Sequence, residues 1–396
     1  MNLKEDSLNL HRMLRGKIEI HNRVPAEGMF EKENGLINLI YTPGVAYVAN
    51  EISKDKKLAY EYTSKWNNVA IICDGTRVLG LGNIGPDGAI PVMEGKSVLM
   101  KLLSGINAIP LCIATQDKEE IIKFVKYIEP MFGAINIEDI ESPKVLDIVE
   151  RLKKEISLPV FHDDQHGIAI ITLSALLNAL NLLNKNLDNI RIVILGAGSA
   201  GYGITKILHT AGCRNMIVID SRGSIYEGRE DLSTNPYKQE IAIKTNPKKI
   251  NRDLQSSLKE ADVFIGVSGK SNIVTGEMVK SMTQNPIIFA LSNPNPEILP
   301  QESKKGGARI IATGRTDFPN QINNATIFPS FIRSLLDLRI KVLSEDLLVT
   351  VAKAIAGLVD KKNLKEDYII PQINDQRILP IVTQTIKETL KQHLAK

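Results

Sequence analysis

This chain of 396 residues has little excess of charge of either sign and few cysteines. It carries 49 basic and 45 acidic residues with no long basic run, so neither nucleic acid nor an anionic membrane is an expected partner. The three cysteines, Cys73, Cys112 and Cys213, are odd in number and form no CxxC pair, which indicates neither a disulfide framework nor a zinc ribbon. We interpret them as buried, reduced thiols of a cytoplasmic protein.

Long apolar runs are lacking as well. No run reaches the roughly 20 residues that a membrane span needs, and the N-terminal residues Met1–Asp6 carry charges where the apolar core of a signal peptide would lie. The apolar fraction of 43% is ordinary for a globular protein. A globular cytoplasmic protein of roughly two to three domains is therefore expected.

Strand patterns and helix patterns alternate along most of the chain, which predicts an α/β fold with parallel sheets. The sequence predicts an N-terminal α/β domain over residues 1–160 and a Rossmann-type, doubly wound dinucleotide-binding domain over residues 161–375. A C-terminal helix over residues 376–396 is expected to pack on the first domain or on a second subunit. Between the two domains, Gly167–Leu183 is apolar on nearly all faces and predicts a buried helix.

Two acidic pairs end predicted strands. Glu138-Asp139 closes the run Gly133–Asp139, and Asp163-Asp164 closes the run Leu158–Asp164. Adjacent carboxylates resist joint ionisation unless a positive charge lies beside them, and parallel sheets bring such strand ends together where ligands bind. We therefore hypothesise that the two pairs share one divalent cation.

Histidines flank the second acidic pair, and two interpretations of them stay open. His162 and His166 beside carboxylates fit a zinc site. They equally fit histidines that orient the metal-binding carboxylates without contacting the metal themselves.

Lys96 and Tyr41 are also open to two interpretations. The pattern places Lys96 in the first turn of a helix that continues over Ser97–Ser104, where the helix dipole is positive. It is either a solvated lysine or one whose lowered pKa lets it act as a base. Tyr41 follows a loop and precedes a turn at Pro43-Gly44, so its hydroxyl either serves a site or is satisfied by the backbone.

A dinucleotide fingerprint lies in the second half of the chain. The strand Ile190–Leu195 runs into a glycine-rich turn and then a helix, Ala200–Ala211, and a second strand ends in Asp220 about 20 residues later. The turn is formed by Gly196, Ala197, Gly198, Ser199, Ala200 and Gly201. Asp220 favours NAD by binding the ribose hydroxyls, whereas Arg222 favours NADP by binding a 2′-phosphate; the prediction leans to NAD.

Polar residues follow later predicted strands at the same sheet edge. Asn293 lies in the turn Ser292–Pro296, and Asn323 and Asn324 precede a helix that starts near Phe328. They are candidate contacts for substrate or nicotinamide, although asparagine also serves turn geometry.

Taken together and in order, these motifs resemble those of the malic enzymes, in the short prokaryotic form. The resemblance covers nearly all of the chain and rests on Tyr41–Val45, Glu94-Gly-Lys96, Glu138-Asp139, His162–Gly167, the glycine-rich turn and Ser292-Asn-Pro. It implies oxidative decarboxylation of (S)-malate to pyruvate and CO2 with reduction of NAD or NADP, a divalent metal, Mg2+ or Mn2+, and a homodimer.

The resemblance also implies roles for individual residues. Glu138, Asp139 and Asp164 match metal ligands, and Asp163 matches a carboxylate near the reacting centre. Lys96 matches the general base and Tyr41 the general acid. Four residues match substrate contacts, among them an arginine that grips a malate carboxylate in the larger malic enzymes: Arg77, Asn293, Asn323 and Asn324.

Overall fold

The computed structural model describes residues 3–14, 16–21, 23–24, 29–30 and 35–394. Within these residues, the chain forms two sheets that follow one another along the sequence. The first sheet has four parallel strands in the order β2-β1-β3-β4. Its strands are β1 (Asn68–Cys73), β2 (Asn107–Cys112), β3 (Ala134–Glu138) and β4 (Val160–His162).

The second sheet has six strands in the order β10-β9-β8-β5-β6-β7. All pairs are parallel except the short β7, which runs antiparallel to β6. Its strands are β5 (Ile192–Leu195), β6 (Met216–Asp220), β7 (Gly223–Ser224), β8 (Val263–Gly266), β9 (Ile287–Ala290) and β10 (Ile310–Thr313). This arrangement confirms the predicted α/β class with a Rossmann-type sheet.

Sixteen α-helices accompany the sheets in the described part of the chain. In the first half they are α1 (Leu3–Leu14), α2 (Ile37–Ile40), α3 (Val45–Lys54), α4 (Ala59–Tyr62), α5 (Gly85–Ser104), α6 (Lys118–Ile128), α7 (Lys144–Glu155) and α8 (Ile168–Leu182). In the second half they are α9 (Ser199–Thr210), α10 (Pro236–Lys244), α11 (Leu254–Leu258), α12 (Gly276–Lys280), α13 (Pro300–Lys305), α14 (Phe328–Leu338), α15 (Glu345–Ala356) and α16 (Ile378–Leu394).

Helices cover both faces of each sheet, which explains why the strands are apolar at every position. All six residues of β1 are buried. In β5, Ile192 and Ile194 join the large core that continues into the first sheet, whereas Val193 and Leu195 face a second, smaller core. Side chains alternate between the faces of a strand, so these two cores lie on opposite sides of the same sheet.

The apolar helix α8 packs against α9 and α15 in the middle of the molecule. Together with the turn before it, the stretch Asp163–Leu182 is long and apolar enough to cross a membrane by length and composition, yet 83% of it is buried inside the molecule. A core helix of a globular protein passes the same test, and the packing identifies α8 as such a helix.

The C-terminal helix α16 packs against α14 and α15. Helix α14 in turn contacts α5 and β3 of the first sheet. The last helix is thus joined to the N-terminal half through α14. The boundaries predicted for the three segments stay a prediction.

Two predicted elements differ from the structure around the acidic pairs. Strand β4 ends at His162, and Asp163–Gly167 form a π-helical turn that leads directly into α8. The backbone N–H of His162 donates to His166 Nδ1 (3.0 Å), which closes this turn. Lys96 is not in a first turn, because α5 begins at Gly85 and runs past Pro91. The predicted place of Lys96 in a first turn is therefore wrong, and Lys96 does not lie at the positive end of the helix dipole.

Candidate active site

The two acidic pairs meet at the carboxyl ends of β3 and β4, as predicted. Glu138, Asp139 and Asp164 each offer one carboxylate oxygen, and these three oxygens lie within 4.8 Å of one another. Glu138 is fully buried, Asp139 is 6% exposed and Asp164 is half-buried. Asp139 adopts a positive φ of 48°, which is uncommon for a residue other than glycine and is often found at functional sites.

Lys96 lies between the acidic pairs. Its Nζ is 2.5 Å from Glu138 Oε2 and 2.9 Å from Asp163 Oδ2, and both carboxylates have fully buried side chains. The ring of Phe328, at the start of α14, lies 5.5 Å from the same nitrogen. The helix α5 places Lys96 at its middle, where the backbone is rigid, so the ammonium group is held on the carboxylates from one side.

Burial dominates the electrostatics of this cluster. It raises the pKa of Asp139 to about 7 and that of Asp163 to about 6, against the opposing charge of Lys96, and it raises the pKa of Glu138 well above its usual range. Burial alone would lower the pKa of Lys96, but the carboxylates of Asp163 and Glu138 raise it well above the usual lysine value. One ammonium group thus balances only part of the negative charge.

A divalent cation fits this donor set. Asp139 Oδ2 and Asp163 Oδ1 are buried and have no hydrogen-bond partner among the described residues, although buried polar atoms are normally satisfied. Carboxylate oxygens are the ligands that Mg2+ and Mn2+ prefer. A cation at Glu138, Asp139 and Asp164 would supply the missing positive charge.

The two histidines of the turn do not contribute to this cluster of ligands. Burial lowers the pKa of His162 to about 4 and the pKa of His166 well below its usual value, so both rings are neutral. The ring nitrogens of His162 have no hydrogen-bond partner in the part of the chain that the structure describes, and His166 accepts from the backbone N–H of His162 and approaches Lys153. They fit neither the zinc interpretation nor a direct orientation of the carboxylates.

The glycine-rich turn lies beside the acidic turn. Gly196 has a φ of 116°, and a Cβ there would lie 2.6 Å from the carbonyl oxygen of Val267. A Cβ at Gly203 of α9 would collide with the backbone of Gln165 in the π-helical turn. Gly203 is not among the predicted site residues, although it is the fourth glycine of a GxGxxGxG run that is visible in the sequence.

A cleft of about 540 Å³ opens at this turn. The first three residues of the glycine-rich turn line it, together with Asp220 and Lys238, and Ser142 and Pro143 close it from the side of the first sheet. Ser199, Ala200 and Gly201 form the first turn of α9, directly after the lining residue Gly198, and the N-terminus of a helix offers the N–H groups that a pyrophosphate requires.

Asp220 does not present a free carboxylate to the cleft. Its Oδ2 lies 2.6 Å from Arg229 and 2.7 Å from Lys238, and its Oδ1 accepts from the backbone N–H of Arg222. Despite its burial, the bonds from Arg229 and Lys238 lower the pKa of Asp220 to about 2. The Arg222 side chain is 70% exposed and lies 3.3 Å from Asp231. The sequence analysis missed Arg229 and Lys238, which come from later elements.

Arg77 reaches from the first sheet toward the second. Its backbone N–H donates to the carbonyl oxygen of Asp139 (3.0 Å), and a side chain on Gly269 would lie 2.7 Å from its guanidinium. Asn293 is half-buried beside Gly314, where a Cβ would lie 2.5 Å from its amide nitrogen. Arg77 thus lies near Gly269, which follows β8, and Asn293 lies near Gly314, which follows β10.

The other two asparagines lie near the acidic turn. Asn324 is 3.2 Å from the position that a Cβ on Gly167 would take. Asn323 caps the short helix that follows it by accepting from the N–H of Ala325, and it donates to Gly314. Asn323 therefore serves turn geometry here.

Glu297 is a further site residue that the sequence analysis missed. It is fully buried and accepts hydrogen bonds from the backbone N–H and the hydroxyl of both Ser268 and Ser292. These four bonds join the ends of β8 and β9. Gly266 lacks a Cβ where Glu297 packs, and no local pattern in the sequence marks this long-range contact.

Tyr41 lies apart from the acidic cluster's hydrogen bonds. It follows α2, its side chain is 66% exposed, and its hydroxyl has no hydrogen-bond partner among the described residues. Helices α2 and α3 on either side of it have no buried residue.

Models of two domain families match the chain. Residues 19–153 match the malic enzyme N-terminal domain and residues 165–388 match the malic enzyme NAD-binding domain. A bifunctional malic/malolactic enzyme of Bacillus subtilis is 46% identical over 98% of this chain and 92% of its own length. An NAD-dependent malic enzyme of Geobacillus stearothermophilus is 45% identical over 98% and 79%, and an NADP-dependent malic enzyme of Halomonas elongata is 41% identical over 88% and 85%.

Solved structures give the same result. The crystal structure of an NAD-dependent malic enzyme from Thermotoga maritima superposes with a TM-score of 0.90 at 43% identity, covering 96% of this chain and 98% of that one. A malic enzyme from Pyrococcus horikoshii superposes with a TM-score of 0.90 at 39% identity, covering 99% and 91%.

Proposed function

Because the chain belongs to the malic enzyme family, we propose that it oxidises (S)-malate and decarboxylates it to pyruvate and CO2 while reducing NAD or NADP. The observation that carries this proposal is the placement of Lys96 between two acidic pairs, beside a glycine-rich turn and its cleft. A proton acceptor, a cation site and a dinucleotide site thus share one edge of the molecule.

In this proposal Glu138, Asp139 and Asp164 hold the cation. When bound, the cation lowers the pKa of the malate hydroxyl and polarises the carbonyl group that forms, which assists both oxidation and loss of CO2. A dinucleotide held at the glycine-rich turn would supply the acceptor for the hydride of malate C2. Proton transfer and substrate binding are assigned to side chains of the protein.

Lys96 takes the proton of the malate hydroxyl at its Nζ. The carboxylates beside Lys96 raise its pKa, and a cation bound at Glu138, Asp139 and Asp164 would offset their charge and so favour the neutral amine that a base must be. Arg77 of the first sheet and Asn293 of the second are assigned to bind the malate carboxylates, and Asn324 adds a polar group near the acidic turn. Asn323 supports this lining by fixing the turn.

Tyr41 donates the proton to C3 of enolpyruvate in the proposal. Its exposure requires that something cover it, and the N-terminal helices around it also expose several large apolar side chains. Leu3, Met13, Leu39 and Tyr47 are 76%, 72%, 67% and 75% exposed. We propose that a second copy of the chain covers this surface in a homodimer. Sedimentation of the purified protein tests this, and a monomer at micromolar concentration would contradict it.

Both NAD and NADP are proposed as cofactors, with the lean to NAD kept from the sequence. The negative charge of Asp220 is balanced by Arg229 and Lys238, so it repels a 2′-phosphate less than a free carboxylate would. Arg222, largely exposed, is available to bind that phosphate. Steady-state constants of the wild type and of Arg222→Ser with both cofactors decide the preference. Loss of NADP use with unchanged NAD use supports the role of Arg222.

Product analysis tests the reaction itself. With malate, Mn2+ and NAD, pyruvate and CO2 are expected to appear in step with NADH. Oxaloacetate that accumulates in equal amount to NADH would instead identify a 2-hydroxy-acid dehydrogenase without decarboxylation. Binding of dinucleotide without turnover would identify a sensor on an inactive scaffold. The predicted cytoplasmic location stays part of the proposal.

A further inference from the structure

Two of the three cysteines lie side by side at the edge of the first sheet that carries the acidic cluster. Cys73 ends β1 and Cys112 ends β2, and the two residues are direct partners in the register of this parallel pair. Their side chains therefore point to the same face, and each thiol shifts the pKa of the other, raising that of Cys73 and lowering that of Cys112. Neighbouring strands are about 4.8 Å apart, which is within the Cα separation of about 4.4–6.8 Å that a disulfide spans.

We propose that Cys73 and Cys112 form a reversible redox modification site that controls the activity of the neighbouring acidic cluster. The oxidant is hydrogen peroxide, and the oxidised form contains a disulfide between the two strand ends. The disulfide joins the ends of β1 and β2, and the chain that continues from β1 donates a hydrogen bond to Asp139 of the acidic cluster.

Accessibility sets the order of the two thiols. Cys112 is partly exposed, whereas Cys73 is fully buried. The Cys112 sulfur attacks one peroxide oxygen, the O–O bond breaks, and water leaves with the thiol proton, which produces a sulfenic acid. The Cys73 sulfur then attacks the Cys112 sulfur and displaces a second water. The two thiols lose two electrons and two protons in total, and the peroxide is reduced to two molecules of water.

The position of Cys73 links this chemistry to the acidic cluster. On its other side, Cys73 is the register partner of Glu138 in β3. The turn that follows Cys73 brings the backbone N–H of Arg77 to the carbonyl oxygen of Asp139 (3.0 Å). A disulfide requires the two sulfur atoms to approach to about 2.05 Å and fixes the dihedral angle between them, so its formation constrains the end of β1 against β2. Glu138 is paired with the constrained segment, and Asp139 accepts a hydrogen bond from the turn that follows it.

The expected consequence is a loss of turnover, since misplacement of site groups by about 1 Å can cost up to about a hundredfold in rate. Purified full-length protein is treated with hydrogen peroxide, and malate oxidation is then measured with Mn2+ and NAD. We expect a decrease of at least about tenfold that dithiothreitol reverses. Thiol titration in denaturant is expected to fall from three to one, with Cys73 and Cys112 recovered in one cross-linked peptide of a single chain.

Three variants separate this site from other oxidation. Cys112→Ser is expected to keep its activity and its remaining thiols under peroxide. Cys73→Ser is expected to stop at a sulfenic acid on Cys112 that dimedone traps. Cys213→Ser is the matched control, because Cys213 is also fully buried but lies outside the pair; it is expected to respond like the wild type.

Several results would overturn the proposal. These are three free thiols after treatment, a disulfide without loss of activity, or equal inactivation of Cys112→Ser and the wild type. If Cys73→Ser fails to fold, Cys112→Ser still decides the outcome. The activity readout rests on the proposed function, but the thiol count and the cross-linked peptide do not, so failure of the one is distinguishable from failure of the other.

Discussion

Replacement of Lys96 by methionine is the sharpest test of the acidic cluster. The substitution removes the ammonium group that lies 2.5 Å from Glu138 and 2.9 Å from Asp163, and it leaves two fully buried carboxylates without their cation. Removing one partner of a buried ion pair typically costs about 3–5 kcal/mol. The Lys96 side chain keeps 16% exposure, so we expect a loss near the lower end, about 3 kcal/mol.

A divalent cation should reverse much of this loss. A ligand at about 100 times its dissociation constant stabilises the folded state by about 2.7 kcal/mol, which is close to the expected penalty. The cation no longer competes with an ammonium group in the variant, so Mn2+ should stabilise Lys96→Met more than it stabilises the wild type. Urea unfolding in EDTA and in excess MnCl2 gives the four free energies of unfolding needed.

Lys144→Met is the matched control. Lys144 lies 2.7 Å from Asp74, with 15% exposure of the lysine and a fully buried carboxylate, but this pair is outside the predicted cation site. It should lose stability and gain no extra stability from Mn2+. Full stability of Lys96→Met in EDTA, or equal stabilisation of both variants by Mn2+, would refute the reasoning.

Four further predictions concern the site and the cofactor cleft. Asp164→Asn should lower Mn2+ affinity more than about 100-fold and leave NAD binding unchanged; unaltered metal-dependent activity would remove Asp164 from the ligands. Tyr41→Phe should slow pyruvate formation more than oxaloacetate reduction, and equal losses would argue against its role as acid. Glu297→Gln should raise KM for the dinucleotide and cost about 1–3 kcal/mol of stability, with exposed Glu302→Gln as the control. The stability lost in Asp220→Asn should be constant above about pH 4 and should shrink as pH falls toward 2, because the folded-state pKa of Asp220 is lowered to about 2; a difference that grows on acidification in urea titrations at several pH values contradicts this.

The parts of the site that depend on local patterns could be predicted from the sequence. Gly196–Gly201 follow a buried strand and open a helix, and the acidic pairs follow buried strands, so parallel pairing alone brings them to one edge. Both signals lie within a few residues of the groups that they position. The predicted cluster of Glu138, Asp139 and Asp164 accordingly forms in the structure.

The parts that depend on distant residues could not be predicted. The sequence pattern predicts that the helix begins close to Lys96. In the structure α5 begins earlier and runs through Pro91, because its packing against β2 outweighs the local helix preference. Asp220 carries the expected negative charge, but its partners Arg229 and Lys238 come 9 and 18 residues later and balance that charge. Glu297 gives no motif signal by itself, since its function depends on the ends of two other strands.

The contact between Gly203 and the backbone of Gln165 has a consequence for how this fold tolerates sequence change. It joins the helix of the dinucleotide turn to the turn that carries Asp164 without any intervening side chain. The spacing between the two sites is thus set by main-chain atoms, which are common to every sequence. Side chains around the site can be exchanged over evolutionary time without altering that spacing, provided that position 203 remains glycine. The fold is retained at 39% identity in the Pyrococcus horikoshii structure, and directed evolution of cofactor preference should spare this one position.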